Sequence, residues 1–222
     1  MHLNGSATAS ACAAAINEDT RKSIAANRLG IPVLQHGEAL HGAQWGMATV
    51  FPQCIGLAAT FDDSLVFHAG EVVARELRAV GVRQVYAPVI NIARDPRWER
   101  MQETYGEDVY LTSRMGVAYT KALQQSGIIS MLKHLVDNYG AGGHDSYASD
   151  DSWRSLREVY LEPFRVCVMK GGAGGIMSAC NSVDGVPCSN NMSASRSQCD
   201  VAERVSRSAD ARQERIGVRK RH

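Results

Sequence analysis

APVINIARDPRWERMQETYGED, Ala87–Asp108, is the stretch on which the reading of this chain turns. It opens as a buried strand, APVINIA, and then breaks into a loop carrying Arg94, Asp95, Pro96, Arg97, Trp98, Glu99, Arg100, Glu103, Glu107 and Asp108. A loop at a strand's C-terminal end, loaded with arginine, carboxylate and tryptophan, is how α/β proteins build polar binding sites. The same loop also reads as a salt-bridged connector, because ion networks are often purely structural.

On either side of this stretch, strand-like and helix-like segments alternate. Residues 13–28 read as a helix with Ile16 and Ile24 on one side, stopped by Gly30. IPVLQ, 31–35, is short, apolar and partly β-branched, and reads as a strand. A Gly-rich polar loop, HGEALHGAQWGMATVFPQ, follows. Leu65, Val66, Ala69, Val72, Val73, Leu77 and Val80 recur at helical spacing behind the capping oxygens of Asp62, Asp63 and Ser64, and Gly81 ends that helix. The central strand, about 84–92, comes next. Leu111, Met115, Ala118, Ala122 and Leu123 mark another helix, closed by Gly127. IISML, 128–132, is a strand followed by KHLVDNYGAGGHDSYASDD, and a helix from Asp151 or Ser152 to about Lys170 is kinked by Pro163. GIMSA, 175–179, is the last strand, and NSVDGVPCSNN is a turn-rich loop. Strands alternating with helices predict parallel βαβ units in an α/β fold. A repeat of about 45 residues suits a (β/α)8 TIM-type barrel with long βα loops, and an open doubly wound sheet shares the pattern. In each unit the unusual chemistry follows the strand.

The bulk numbers exclude several classes. With 222 residues, 24 basic and 23 acidic, the chain suits one domain or at most two and has no charge footprint for nucleic acid or an anionic membrane. No apolar run approaches the ~20 residues a membrane helix needs. The start, MHLNGSATASACAAA, lacks a basic and a strongly apolar region, so no signal peptide is expected. Cys12, Cys54, Cys167, Cys180, Cys188 and Cys199 form no C-x-x-C pair, which suits neither a zinc site nor a disulfide framework. From about Asn191 the composition changes. Residues 191–222 are Arg- and Ser-rich, with no Leu, Phe, Tyr, Trp or Pro, and read as a disordered basic tail or as non-native sequence after a frameshift.

The loops carry the candidate chemistry. His36-Gly-Glu38-Ala-Leu-His41 is not H-E-x-x-H, and no metal is expected there. The Gly clusters at 140–143 and 171–175 fit no nucleotide fingerprint, and there is no G-x-S-x-G elbow. Lys133 and His134 stand directly after a strand, where both are able to donate into a pocket. Asp145, Asp150, Asp151 and Asn138 read as solvated loop residues. The strand ends then offer Glu38, Arg100, Lys133 and His134: one carboxylate that accepts and three groups that donate. A sugar ring suits such a set, since each hydroxyl pair donates to a carboxylate while accepting charge-assisted bonds from Lys, Arg or His. Trp45 or Trp98 reads either as a stacking platform or as packing.

GIPVLQHGEALHG, TVFPQCIGLAATFD, YAPVINIARDPRWERMQETYGEDVYL, KHLVDNYGAGGHDSY, SLREVYLEPF and GIMSACNSVDGVPCSNN, in that order, resemble the N-terminal domain of family 3 glycoside hydrolases of the β-glucosidase/β-xylosidase type. The resemblance spans roughly 28–190. It implies the N-terminal portion of a (β/α)8-type barrel, retaining exo-hydrolysis of a β-linked oligosaccharide or glycoside, and no cofactor. It also implies that Glu38, Arg100, Lys133 and His134 grip sugar hydroxyls. The N-acetylglucosaminidase branch fits less well, because its K-H-F-P-G-H-G run is replaced by KHLVDNYG.

The departures from the family pattern set further expectations. Glu99 replaces a glycine, His144 an arginine and Cys180 a tyrosine. The family nucleophile, the aspartate of a Ser-Asp-Trp-like motif, is not matched, and Asp200 and Asp210 lack that motif. The acid/base glutamate belongs to a further domain of full-length relatives. Retaining chemistry needs two carboxyl groups about 5–5.5 Å apart, so no catalytic residue is assigned and the isolated chain is expected to be inactive. The alternative is a non-catalytic sugar-binding or structural half-barrel. The expected organisation is a lead-in helix over 1–27, a partial barrel domain over 28–190 and an aberrant tail over 191–222. Without the missing barrel half, open strand edges are expected to favour association.

Overall fold

The computed structural model describes residues 8–191. The tail assigned to 191–222, including Cys199, Asp200 and Asp210, lies outside the described residues apart from Asn191.

Four strands form one parallel sheet in chain order: β1 (His36–Gly37), β2 (Gln84–Val85), β3 (Ile129–Leu135) and β4 (Gly175–Ser178). His36 pairs with Gln84, Gln84 with Ile129, and Met131 with Gly175. A doubly wound sheet reverses its strand order at a switch point. This sheet does not, and its strictly sequential order is that of a (β/α)8-type barrel wall. Between Leu132 and Leu135 the pairing register shifts: two β3 residues, Lys133 and His134, stand opposite the single residue Met177. The extra residue is a bulge, which bends a strand and re-aims its side chains.

The helices follow from their caps and apolar stripes. α1 (Ala9–Ala26) starts at Thr8, whose hydroxyl accepts from the Ala11 N–H, and it ends at Asn27 rather than running on to Gly30. Asp62 caps α3 (Asp63–Val80) by accepting from the Ser64 and Leu65 N–H groups, and Gly81 closes it at φ 94°. Asp108 caps α4 (Val109–Gln125). Val66, Val73 and Leu77 of α3 and Met115, Tyr119 and Leu123 of α4 are buried between helix and sheet. α3 and α4 approach closely: a Cβ on Gly70 would stand 2.7 Å from that of Ala122. The short helix α2 (Cys54–Ala58) lies in what reads as loop.

The helix expected over 151–170 is segmented. α5 (Trp153–Ser155) passes through a π turn (Leu156–Tyr160) into α6 (Glu162–Val166) and a second π turn (Cys167–Gly171). The Leu161 N–H reaches back to the Leu156 carbonyl at 2.8 Å, so the wider turn falls just ahead of Pro163, which has no N–H to give.

Three strand readings shift. IPVLQ forms no strand ladder: Ile31 exchanges two bonds with the Asn27 side chain, the Gln35 carbonyl accepts from Arg83 and Gln84, and regular pairing begins at His36. Among the described residues no strand pairs with its apolar positions, and Ile31 is 59% exposed. The central strand keeps regular pairing only at Gln84–Val85, then holds β3 through Lys133 N–H to Pro88 O and Ile90 N–H to Lys133 O. Residues 181–191, read as a turn-rich loop, contain a hairpin, β5 (Ser182–Val183) against β6 (Val186–Pro187), with Asp184 and Gly185 at φ 51° and 73°. Positive φ at both turn residues is the Asp-Gly signature of a two-residue hairpin.

Candidate functional site

Glu38, Arg100, Lys133 and His134 meet at the C-terminal ends of the first three strands. Glu38 follows β1 directly. Lys133 crosses to it from the β3 bulge, its Nζ donating to Oε1 at 2.9 Å and Oε2 at 2.8 Å. The lysine side chain is 4% exposed and the glutamate side chain 36%. A buried ammonium needs its charge compensated, and Glu38 does so while keeping one flank open. The third N–H of the ammonium has no partner among the described residues.

His134 is buried and fixed by Asn91 of the central strand. The Asn91 Nδ2 donates to the His134 carbonyl at 2.9 Å, while its Oδ1 accepts from the His134 N–H at 2.9 Å and lies 3.1 Å from Nδ1. Because Oδ1 already accepts from a backbone N–H, its orientation is settled, and Nδ1 is the ring nitrogen that carries the proton. Burial, then the charges of Arg100 and Lys133, push the His134 pKa down to about 3 against the pull of Asp145. The ring is therefore neutral at ordinary pH, and Nε2 presents a lone pair. The sequence reading made His134 a donor; this geometry makes its free nitrogen an acceptor.

Arg100 is held by carboxylates on two sides. Nε and Nη2 donate to Glu103 at 2.9 and 2.7 Å, and Nη1 to Asp145 at 3.3 Å. Burial opposes the guanidinium charge, but Glu103 and Asp145 outweigh it and hold its pKa above the ordinary value. Of the five guanidinium N–H groups, these bonds leave two. The site therefore keeps donors on Lys133 and Arg100 and acceptors on Glu38 and His134.

The surrounding charges are scaffold. Asp95 binds Arg97 through its main chain and guanidinium, which pull its carboxyl down to about 2. Asp108 caps α4. Trp98, read as a possible platform, is 2% exposed and packed beneath Gly140, with Nε1 donating to Asp145 at 3.1 Å; it is packing. Trp45 lies half-buried beside a small cleft lined by His36, Glu38 and Tyr86. Asp145, Asp151 and Asn138 are not simply solvated: Asp145 braces Arg100, Asp151 accepts from Tyr139 and Ser155, and Asn138 is buried. Glu99, His144 and Cys180 are exposed. His41 spends Nδ1 on the Phe51 carbonyl at 2.9 Å. Among the described residues no group of three or more His, Cys, Asp or Glu side chains is placed to hold a metal ion, and no helix is long and apolar enough to cross a membrane.

Asn91 and Asp145 are the residues sequence reasoning missed. An asparagine within the apolar run PVINIA was the available signal, since a buried amide must find partners. Asp145 carried no signal of its own, because its partner lies 45 residues away.

The chain as a whole is similar to known proteins. The chain is 41% identical over 191 residues to a β-xylosidase of Formosa agariphila, an alignment covering 79% of this chain and 26% of that protein. A β-glucosidase of Erythrobacter marinus superimposes with a TM-score of 0.79 at 31% identity, covering 82% of this chain and 25% of that one. β-Glucosidase 3B of Thermotoga neapolitana, solved in complex with glucose, superimposes with a TM-score of 0.68 at 30% identity, covering 73% and 24%. The chain thus spans about a quarter of the length of the relatives it matches. Residues 3–196 match the family model described as the glycosyl hydrolase family 3 N-terminal domain, and the chain belongs to that family.

Proposed function

We propose that this chain forms the sugar-gripping wall of a β-glucosidase- or β-xylosidase-type glycoside hydrolase. Its Glu38, Arg100, Lys133 and His134 take the hydroxyls of the terminal sugar of a β-linked substrate. The observation that carries the reading is the Lys133–Glu38 pair, seated beside a neutral His134 at the ends of parallel strands. A vicinal diol needs both donors and acceptors close together, and this cluster leaves both unspent. A site whose buried polar groups require partners discriminates against a sugar with the wrong hydroxyl.

The bond-cleaving step is assigned to carboxylates outside this cluster. Glu38 is tied to Lys133, and Glu103 and Asp145 to Arg100. None of them is free to act as a nucleophile. In this reading the 222-residue chain binds a terminal glucose or xylose without hydrolysing its glycosides, and the activity of longer relatives requires further carboxylates. Calorimetric titration with glucose and xylose, run beside an aryl β-glucoside and aryl β-xyloside assay, tests both halves. Saturable binding lost in R100A, with no aryl release, is the expected pair of results. Turnover at ordinary enzyme rates would overturn the assignment of the cleaving groups, and absence of binding would overturn the site.

A further inference from the structure

Beyond the β3 bulge lies a second polar cluster that the sugar contacts do not use. Asp137 is 1% exposed and stands at φ 63°, and neither of its carboxyl oxygens has a hydrogen-bond partner among the described residues. The Ser149 hydroxyl and Asn181 Oδ1, on residues equally buried, are orphaned in the same way. Buried polar oxygens are nearly always satisfied, and each exception calls for a physical explanation.

Hydrogen bonds tie together the segments that carry these atoms. The Ser149 N–H donates to the Ser182 carbonyl at 2.9 Å, and Asp184 returns a bond to the Ser149 carbonyl at 3.0 Å. Asn181 Nδ2 faces the carbonyls of Val136, Asp137 and Ser182 at 3.2, 3.4 and 3.3 Å. Those carbonyls fix the amide, so the orphaned Asn181 atom is an oxygen. The Asp151 carboxyl also faces Asp137 and accepts from Tyr139 and Ser155, each at 3.0 Å. Arg94, seated over the Tyr160 ring at 5.8 Å, is the nearby positive group. The Ser149 hydroxyl faces the Asp137 carboxyl and is the one side-chain donor beside it, so acceptor oxygens still outnumber donors here.

We infer that Asp137, Ser149, Asp151 and Asn181 form a site for a hard divalent cation of the calcium class. Carboxylate, amide and hydroxyl oxygens are the donors that suit such an ion, and calcium tolerates their irregular placement. Asp137 follows β3, Asn181 follows β4, and Ser149 and Asp151 end the long loop between β3 and α5. The ion fastens that loop to the β5–β6 hairpin.

Terbium luminescence and thermal unfolding of the full chain test this. Tyr139 and Tyr160, stacked at 5.2 Å, stand beside the site as sensitisers. The expected result is tyrosine-sensitised terbium emission displaced by Ca2+, and a melting temperature raised in millimolar Ca2+ but not in equivalent Na+. Both effects vanish in D137N. That variant removes only a buried charge, so it melts at or above the wild type in chelator. S149A keeps the fold and weakens Ca2+ binding by about tenfold, as loss of a supporting ligand typically does. The site is overturned if the wild type shows no Ca2+ response, if D137N keeps it, or if S149A binds Ca2+ unchanged. The cluster then holds water or a shared proton. None of these readouts involves sugar, so failure here is separate from failure of the sugar site.

Discussion

Asn91 grips His134 at three points: carbonyl, amide N–H and ring Nδ1. One side chain thereby sets the tautomer of the ring and anchors the main chain of the bulge. In N91L the buried His134 N–H and carbonyl lose their partners, at about 1–3 kcal/mol for each group left unsatisfied. N91D keeps an acceptor for Nδ1 but brings a negative charge against the ring. It raises the His134 pKa from about 3. Histidine 15N shifts across a pH titration read the change directly, and an unaltered titration in N91D would count against the role given to Asn91.

The Lys133–Glu38 pair is asymmetric, and so are its variants. Removing Glu38 leaves an ammonium that is 4% exposed without its counter-charge, whereas removing Lys133 leaves a carboxylate that is 36% exposed and able to hydrate. E38A is expected to destabilise by about 2–3 kcal/mol, below the full cost of breaking a buried pair because one flank is open. K133M costs less. Urea midpoints of the two variants give the order, and the reverse order would contradict the burial argument.

Two buried groups give opposite pH dependences. The folded pKa of His134 is depressed, so the unfolded chain takes up a proton near pH 6.5 while the folded one does not. Stability relative to H134Q is full above about 6.5 and falls as the pH drops towards about 3. Burial raises the folded pKa of Asp137 to about 7, against Ser149 and with Asp151, so its folded form binds the extra proton. Relative to D137N in cation-free buffer, the wild type gains stability as the pH falls from about 7 to about 4, and is at its worst above 7. Melting curves of the two variants from pH 4 to 8 separate the effects.

Gly140 is the point where the β3–α5 loop closes over Trp98. It stands at φ 70°, and a Cβ there would lie 2.4 Å from the Trp98 ring. G140A is therefore expected to cost more than about 2 kcal/mol, from backbone strain and overpacking together. Arg100 is released with the loop, because Trp98 and Arg100 share Asp145. Proteolysis at 141–148 should accelerate in G140A and remain slow in the exposed control E99A.

Much of this was legible in the residues. Asp62 and Gly81 announced the ends of α3, and the apolar spacing of α3 and α4 marked their buried faces, while the cap on α4, Asp108, was read only as a loop charge. Glu38 follows β1 as the sequence suggests, whereas Lys133 and His134, read as standing after a strand, lie inside β3 at its bulge. Other features depended on tertiary partners. IPVLQ has strand composition, but pairing starts only at His36, where β2 lies alongside. The direction of the His134 hydrogen bond was hidden, because it depends on an asparagine 43 residues away. Whether Trp98 stacks or packs depends on Gly140, which closes over its ring from 42 residues away. The Val-Asp-Gly-Val hairpin, by contrast, was written in the sequence as a turn signal and read only as loop.

In the proposed function the Nε2 lone pair of His134 receives sugar hydroxyls together with Glu38, Lys133 and Arg100. The most direct measurement is a titration of histidine-15N-labelled chain with glucose and with xylose. A saturable shift of the His134 Nε2 resonance is expected, with no change at exposed His68 and loss of the shift in R100A. A His134 resonance unmoved by saturating concentrations of either sugar would contradict it.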